Sequence, residues 1–130
     1  MPDINQLTEL VIGMAIDVHR ALGPGLSEIA YERALAIDLV AARIPFQRQV
    51  GIPVVYRGEI VAEYRPDFIV ADLVVIEVKS VERLIPVHRA QMLTYLRITG
   101  HELGLVMNFN TPLLKDGIWR VVLQTGARTL

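Results

Sequence analysis

The stretch Val74-Val75-Ile76-Glu77-Val78-Lys79 constrains this chain more than any other. Successive side chains of a strand point to opposite faces, so a run apolar at both parities is a strand buried on both sides. Glu77 and Lys79 are two apart and project from the same face. Their charges are expensive to desolvate there unless they are paired or bound to something.

Whether Asp67 joins them depends on the hairpin that precedes the strand. A two-residue turn at Ala71-Asp72 sets Asp67 opposite Ile76 and sends its carboxylate to the wrong face. A three-residue loop, Ala71-Asp72-Leu73, sets Asp67 opposite Glu77 and brings the carboxylates together. Pro66 cannot donate to the ladder and invites a bulge that would also shift the register. Two adjacent carboxylates repel, and a divalent cation with a taste for hard oxygen ligands, Mg²⁺ or Mn²⁺, relieves that repulsion. Such a cation polarises a phosphodiester oxygen and lowers the pKa of a water, and Lys79 beside it orients that water or offsets charge on phosphorus. The competing reading of the same residues is a structural Glu77–Lys79 or Asp67–Lys79 ion pair.

Around this segment the chain reads as ααβββαββ. Leu7, Leu10, Val11, Met14, Val18, Ala21 and Leu22 recur at helical spacing, and Gly23-Pro24-Gly25 ends that helix. Ser27 is placed as the N-cap of a second helix running to about Ala42. From Val50 the period becomes two: Val54 to Tyr56, a turn at Arg57-Gly58, Ile60 to Val70, and Leu73 to Lys79 read as three antiparallel strands. A helix from Val81 or Pro86 to Thr99 stops at Gly100; Leu103 to Phe109 is a buried strand, Lys115-Asp116-Gly117 a turn, and Trp119 to Leu123 the last strand. The implied fold is α/β, a central mixed β-sheet flanked by helices, in a single domain over residues 1–130.

Composition narrows the partners. The chain is 52% hydrophobic and 21% charged, with a mean hydropathy of +0.40, which is apolar for so small a domain. No run of apolar residues is long enough to span a bilayer, so a membrane is not expected and burial in a homo-oligomer accounts for the composition. The absence of cysteine excludes disulfides and thiolate metal sites; with no targeting segment apparent, the expected location is cytoplasmic. A net charge of −1 and a pI of about 6.3 give no global field for a polyanion, so nucleic-acid binding has to rest on a local cationic strip or a metal.

Further candidates lie on the helices. Glu28 shares a helical face with Tyr31, Leu35 and Leu39, so it reads either as a third metal oxygen or as a first-turn acid facing the helix dipole. Tyr31 reads as core. His88, Gln91 and Tyr95 fall on one side of the third helix among Leu84, Val87, Met92, Leu93 and Leu96. They read either as support for Glu77 and Lys79 with contacts to nucleic acid, or as a core tyrosine and a satisfied, buried glutamine. His19 is a candidate ligand or a satisfied histidine. Arg83, Arg89 and Arg97 line a backbone groove or a solvated face.

Several motifs together resemble one family. Gly25-Leu26-Ser27-Glu28-Ile29-Ala30-Tyr31 matches the pattern that names the GxxExxY proteins, and Val18 to Leu26, Arg65-Pro66-Asp67, Ile76 to Lys79, Ala90 to Leu96 and Gly104 to Phe109 are similar to that family too. The family is placed in the PD-(D/E)XK nucleases, so the resemblance implies that superfamily's mixed sheet and a Mg²⁺- or Mn²⁺-dependent nuclease acting on DNA in preference to RNA. It implies that Asp67 and Glu77 are metal carboxylates and catalytic with Lys79, that Glu28 and the carbonyl of Val78 complete the metal site, and that Gln91 and Tyr95 form the Q-x-x-x-Y element, with His88 and Tyr31 supporting. His19 corresponds to a histidine that binds metal in some relatives. The superfamily also holds inactive members, so the alternative is an oligomeric nucleic-acid-binding or scaffold protein without turnover.

Overall fold

A computed structural model describes residues 2–124; the one-domain expectation extends over position 1 and positions 125–130, which lie outside them. Three helices are cut where the sequence supplies caps. Helix α1 (Ile4–Leu22) starts in a capping box, the Asp3 carboxylate accepting from the Gln6 N–H at 2.8 Å while the Gln6 side chain accepts from the Asp3 N–H at 2.9 Å. It ends at Gly23, whose φ of 71° a side chain would resist. Helix α2 (Glu28–Ala41) follows Ser27, which has N-cap geometry but makes no side-chain capping bond. Helix α3 (Pro86–Thr99) begins with Pro86, whose missing N–H costs nothing there, and stops at a left-handed Gly100.

The strands correct the sequence reading. Strand β1 (Phe46–Arg48), unforeseen, is followed by β2 (Ile52–Tyr56) and β3 (Glu59–Tyr64), which form a two-stranded sheet of their own. The expected strand from Ile60 to Val70 is broken at Arg65-Pro66, after which β4 (Phe68–Val70) joins a different sheet. Proline cannot donate to the ladder, and the chain changes sheet at that point. Strands β5 (Val74–Lys79), β6 (Leu103–Asn108) and β7 (Ile118–Val122) complete a five-stranded sheet of order β1-β4-β5-β6-β7. Only β5 and β6 run parallel, joined by α3 as the crossover. The expected turn at Lys115-Asp116-Gly117 is part of a short 3-10 helix, Leu114–Gly117.

The mixed sheet separates two apolar clusters. On one face Val74, Ile76 and Val78 pack with Leu105 and Met107 against Leu7, Val11, Leu35 and Leu39 of the first two helices. On the other, Ile69, Val75 and Val106 meet Met92 and Leu96 of α3. Strand β5 is therefore covered on both sides, as its sequence requires, and Glu77 shares the α3 face with Val75. Among the described residues no helix is long and apolar enough to cross a membrane.

Gly104 lets α3 sit directly on the sheet. A Cβ at that position would overlap Sδ and Cγ of the fully buried Met92. Gly104→Val is therefore expected to destabilise the fold by about 1–3 kcal/mol through overpacking, measured as a lower urea midpoint; an unchanged midpoint would mean that α3 has room to move.

Candidate active site

The β4–β5 connection decides what faces Glu77. Val70 pairs with Val74, Ile69 with Val75 and Phe68 with Ile76, so the loop holds three residues and the next step sets Asp67 opposite Glu77. Ala71 and Asp72 both take left-handed φ values, 51° and 54°, and the Leu73 N–H closes the loop on the Val70 carbonyl at 2.9 Å. The two carboxylates are cross-linked through main chain. The Asp67 N–H donates to Glu77 Oε1 at 2.8 Å, and the Val78 N–H donates to Asp67 Oδ2 at 2.7 Å.

Burial sets their protonation. Asp67 is pushed up from 3.8 to about 7, first by desolvation and then by the nearby Glu32 carboxylate, against hydrogen bonds from Val78 and Gln49. Glu77 is pushed up from 4.5 to about 8, first by desolvation and then by the charge of Asp67, while the Asp67 N–H and Lys79 oppose the rise. Lys79 Nζ stands 3.9 Å from Glu77 Oε2, with its side chain 18% exposed. The two form the Glu77–Lys79 ion pair that the sequence allowed, at a separation too long for a hydrogen bond.

Other candidates divide into those at the site and those behind it. Glu28 is exposed at the start of α2 rather than core-facing, and its Oε2 accepts the Ser80 N–H at 3.2 Å, beside the end of β5. Tyr95 is half-buried beneath the carboxylates; burial, then the charges of Glu77 and Asp67, push its phenol up to about 12, so it stays protonated. Its ring meets Tyr64 edge to face at 6.0 Å. Gln91 is not the buried amide expected from its apolar neighbours. It is exposed and lines, with Tyr64, Val87, Ala90, Thr94 and Tyr95, an open groove of about 290 Å³. His88 Nδ1 accepts the Ile85 N–H at 3.0 Å and so caps α3, and burial, then Lys79, lower its pKa.

Tyr31 and His19 stand behind the site. Tyr31 is fully buried, stacked on Phe109 at 4.5 Å, and its hydroxyl donates to the Gly23 carbonyl and accepts the Leu26 N–H. It cannot touch nucleic acid; it holds the loop whose Leu26 carbonyl accepts from the Ser80 hydroxyl at 2.6 Å. His19 Nε2 lies 2.8 Å from the Thr111 carbonyl. A carbonyl only accepts, so Nε2 carries the proton and offers no lone pair to a metal.

Four participants escaped the sequence reading. Glu32, 4% exposed, accepts from Arg48 Nε and Nη2 at 3.0 and 2.6 Å and from Gln49 Nε2 at 2.7 Å; Gln49 Nε2 also donates to Asp67 Oδ1 at 2.9 Å. Asn108, opposite Lys79, exchanges hydrogen bonds of 3.0 Å with the main chain of Val81 and fixes the exit from β5. Glu32 was discoverable as the acid one helical turn after Glu28. Arg48 and Gln49 gave no such signal.

Asp67 and Glu77 fit a divalent cation. Among the described residues no group of three or more Asp, Glu, His or Cys side chains is placed to hold a metal ion, so Glu28 does not join Asp67 and Glu77 as the expected third carboxylate. Mg²⁺, however, is held by one or two carboxylates and keeps several waters, and two carboxyls driven to retain protons are the donor set that such a cation would ionise. Continuing the β4–β5 register sets Pro66 opposite Val78. Proline has no N–H to give the Val78 carbonyl, which leaves that oxygen available as a further ligand.

The chain belongs to the PD-(D/E)XK nuclease superfamily, whose model matches residues 5–121; the match specifies the superfamily and no subgroup within it. Proteins of this superfamily are generally phosphodiesterase nucleases and typically use divalent metals. Comparisons with curated proteins and with solved structures return no match.

Protonation and stability are linked here with a definite sign. Both folded-state pKa values, about 7 and about 8, lie above the ordinary 3.8 and 4.5, so the folded protein binds more protons between those limits. Stability of the chelator-treated protein is therefore expected to fall as pH rises from about 4 to about 8, and to level off above that. Thermal midpoints across this range check it, and Glu77→Gln should flatten the slope.

Proposed function

We propose that this protein is a Mg²⁺- or Mn²⁺-dependent nuclease that hydrolyses phosphodiester bonds, with DNA as its substrate. The observation that carries the reading is the placement of two mutually repelling carboxylates, the buried Glu77 and the partly buried Asp67, beside a lysine not tied by a hydrogen bond. Asp67, Glu77 and the Val78 carbonyl would hold the cation, with the Glu28 charge at the mouth. Bound there, a divalent cation supplies Lewis acidity toward a phosphate oxygen and neutralises the carboxylates. Lys79 positions the attacking water through its ammonium protons and offsets negative charge as the phosphorus is attacked. Gln91 and Tyr95, on the wall of the adjoining groove, contact the strand.

Plasmid, single-stranded DNA and RNA incubated with Mg²⁺ or Mn²⁺ test this directly. Lys79→Ala is expected to cut DNA roughly 100- to 1,000-fold more slowly than the parent, and equal rates would remove Lys79 from the chemistry.

A second reading rests on the surface. Ile29, Ile37 and Val40 on α2 are 53%, 68% and 65% exposed, and Val55, Ile60 and Val61 on the β2–β3 hairpin are similarly open. Apolar area of this kind, on a chain of net charge −1, supports a self-associating scaffold that binds nucleic acid without cutting it. Sedimentation of the wild type against Ile37→Glu reports the association, and a monomeric wild type would remove it. Calorimetry with Mn²⁺ separates the two readings: a nuclease binds the ion saturably and loses that binding in Asp67→Ala, whereas a scaffold shows none.

A further inference from the structure

Asp67 is held from two sides, and only one of them is the strand beside it. Val78 fixes Oδ2 through its N–H. Oδ1 is fixed by the side-chain amide of Gln49, which spends its two protons on two carboxylates, Asp67 at 2.9 Å and Glu32 at 2.7 Å. The orientation of that amide follows, because only its nitrogen can face two acceptors. Glu32 is buried on α2 and immobilised in turn by the fork of Arg48.

The backbone of Gln49 points the same way. It adopts a φ of +56°, a left-handed conformation rare outside glycine, although the residue lies at the surface, where a glycine or asparagine would be accommodated. Its N–H meanwhile donates to the Asp67 carbonyl at 3.3 Å, so main chain and side chain both close on the same residue. Its carbonyl also accepts from Arg65 Nη1 at 3.1 Å, but its N–H and side-chain amide both lead to Asp67 and the acid behind it, and a strained conformation kept for such contacts fits a positioning role.

We infer that Gln49, backed by Glu32 and Arg48, is the positioning residue that presents Asp67 to the divalent cation. The inference rests on the metal reading given above and goes beyond it by assigning the support for one ligand to a bridge from β1 and α2. Removing an outer partner of a metal ligand leaves the ligand in place but lets it turn, which typically weakens metal affinity by roughly 10- to 100-fold.

The test is Mn²⁺ titration calorimetry on the wild type, Gln49→Met, Glu32→Gln and Asp67→Asn, each paired with a thermal melt. Gln49→Met keeps the side-chain length and removes both donors, so its melt reads how much stability the bridge to the buried Glu32 supplies apart from any effect on metal affinity. Its Mn²⁺ dissociation constant is expected to rise roughly 10- to 100-fold, with Glu32→Gln, which keeps an acceptor for Gln49, weakened less. Wild-type binding that Asp67→Asn abolishes and Gln49→Met leaves unchanged overturns this inference alone. A Gln49→Met protein that loses affinity only in proportion to a lowered melting point also overturns it, because the bridge would then be structural. No saturable binding by the wild type overturns the metal reading and this inference with it.

Discussion

The parity of the β4–β5 loop is the constraint on which the site depends. With three residues between Val70 and Val74, the side chains of Asp67, Glu77 and Lys79 emerge on the α3 side of the sheet. One residue fewer would move Asp67 to the opposite face, where Val74, Ile76, Leu105 and Met107 pack against α1 and α2. In most hairpins the apolar pattern selects the register, but here both faces are apolar and the pattern is nearly silent. The carboxylates do the selecting, because a slip would bury Asp67 without the Val78 N–H that it accepts from. The loop bears some cost for this geometry, since left-handed Ala71 and Asp72 are disfavoured by about 1–2 kcal/mol each. Local bonds offset it: the Ala71 N–H reaches the Pro45 carbonyl at 2.7 Å, and His101 reaches the Asp72 carboxylate at 2.8 Å.

The same dependence explains what was legible in the sequence. The helix ends were readable because Gly23, Pro86 and Gly100 act locally, each through its own dihedral preference or missing donor. Strand β5 was readable because burial on both faces leaves a continuous apolar run. Asp67 could be attached to Glu77 only conditionally, through loop parity, and the loop has the odd length that the pairing needs. Strand β1 was not readable. Its three residues include Gln47 and Arg48, and so short a segment carries no period. The residues it delivers to the site, Arg48 and Gln49, were lost with it, since their meaning lies in contacts to positions 16 to 18 residues away. Gln91 was misjudged for a related reason: an apolar helix surface looks the same whether it lines a core or an open groove.

Support for the site comes from elements distant in sequence, and each acts on main chain as well as side chain. Tyr31 ties the loop after α1, that loop ties Ser80, and Glu28 takes the Ser80 N–H, so the start of α2 and the end of β5 are fastened together. Asn108 does the same from β6 through Val81. The glutamate and tyrosine three positions apart on α2 thus divide the work, one presenting charge at the strand end and the other fixing the loop that leads to it.

Charge is the term left unbalanced by all this fastening. Four carboxylates, from Glu28, Glu32, Asp67 and Glu77, are gathered around two cations, Arg48 and Lys79. Arg48 is committed to Glu32 at 2.6 Å, and Lys79 stands too far from Glu77 to discharge it through a hydrogen bond. Asp67 and Glu77, already pushed by desolvation, carry that deficit as well and retain protons to unusually high pH in the cation-free protein. A divalent ion carries the two positive charges that the cluster lacks, and it would compete for the same oxygens as those protons. Bases placed so as to need either a proton or a metal suit an exchangeable cation better than a fixed ion pair. Replacing Lys79 by arginine would leave that deficit unchanged, since both carry one positive charge, while a guanidinium fork that grips a carboxylate bidentately would occupy the oxygen left for the cation.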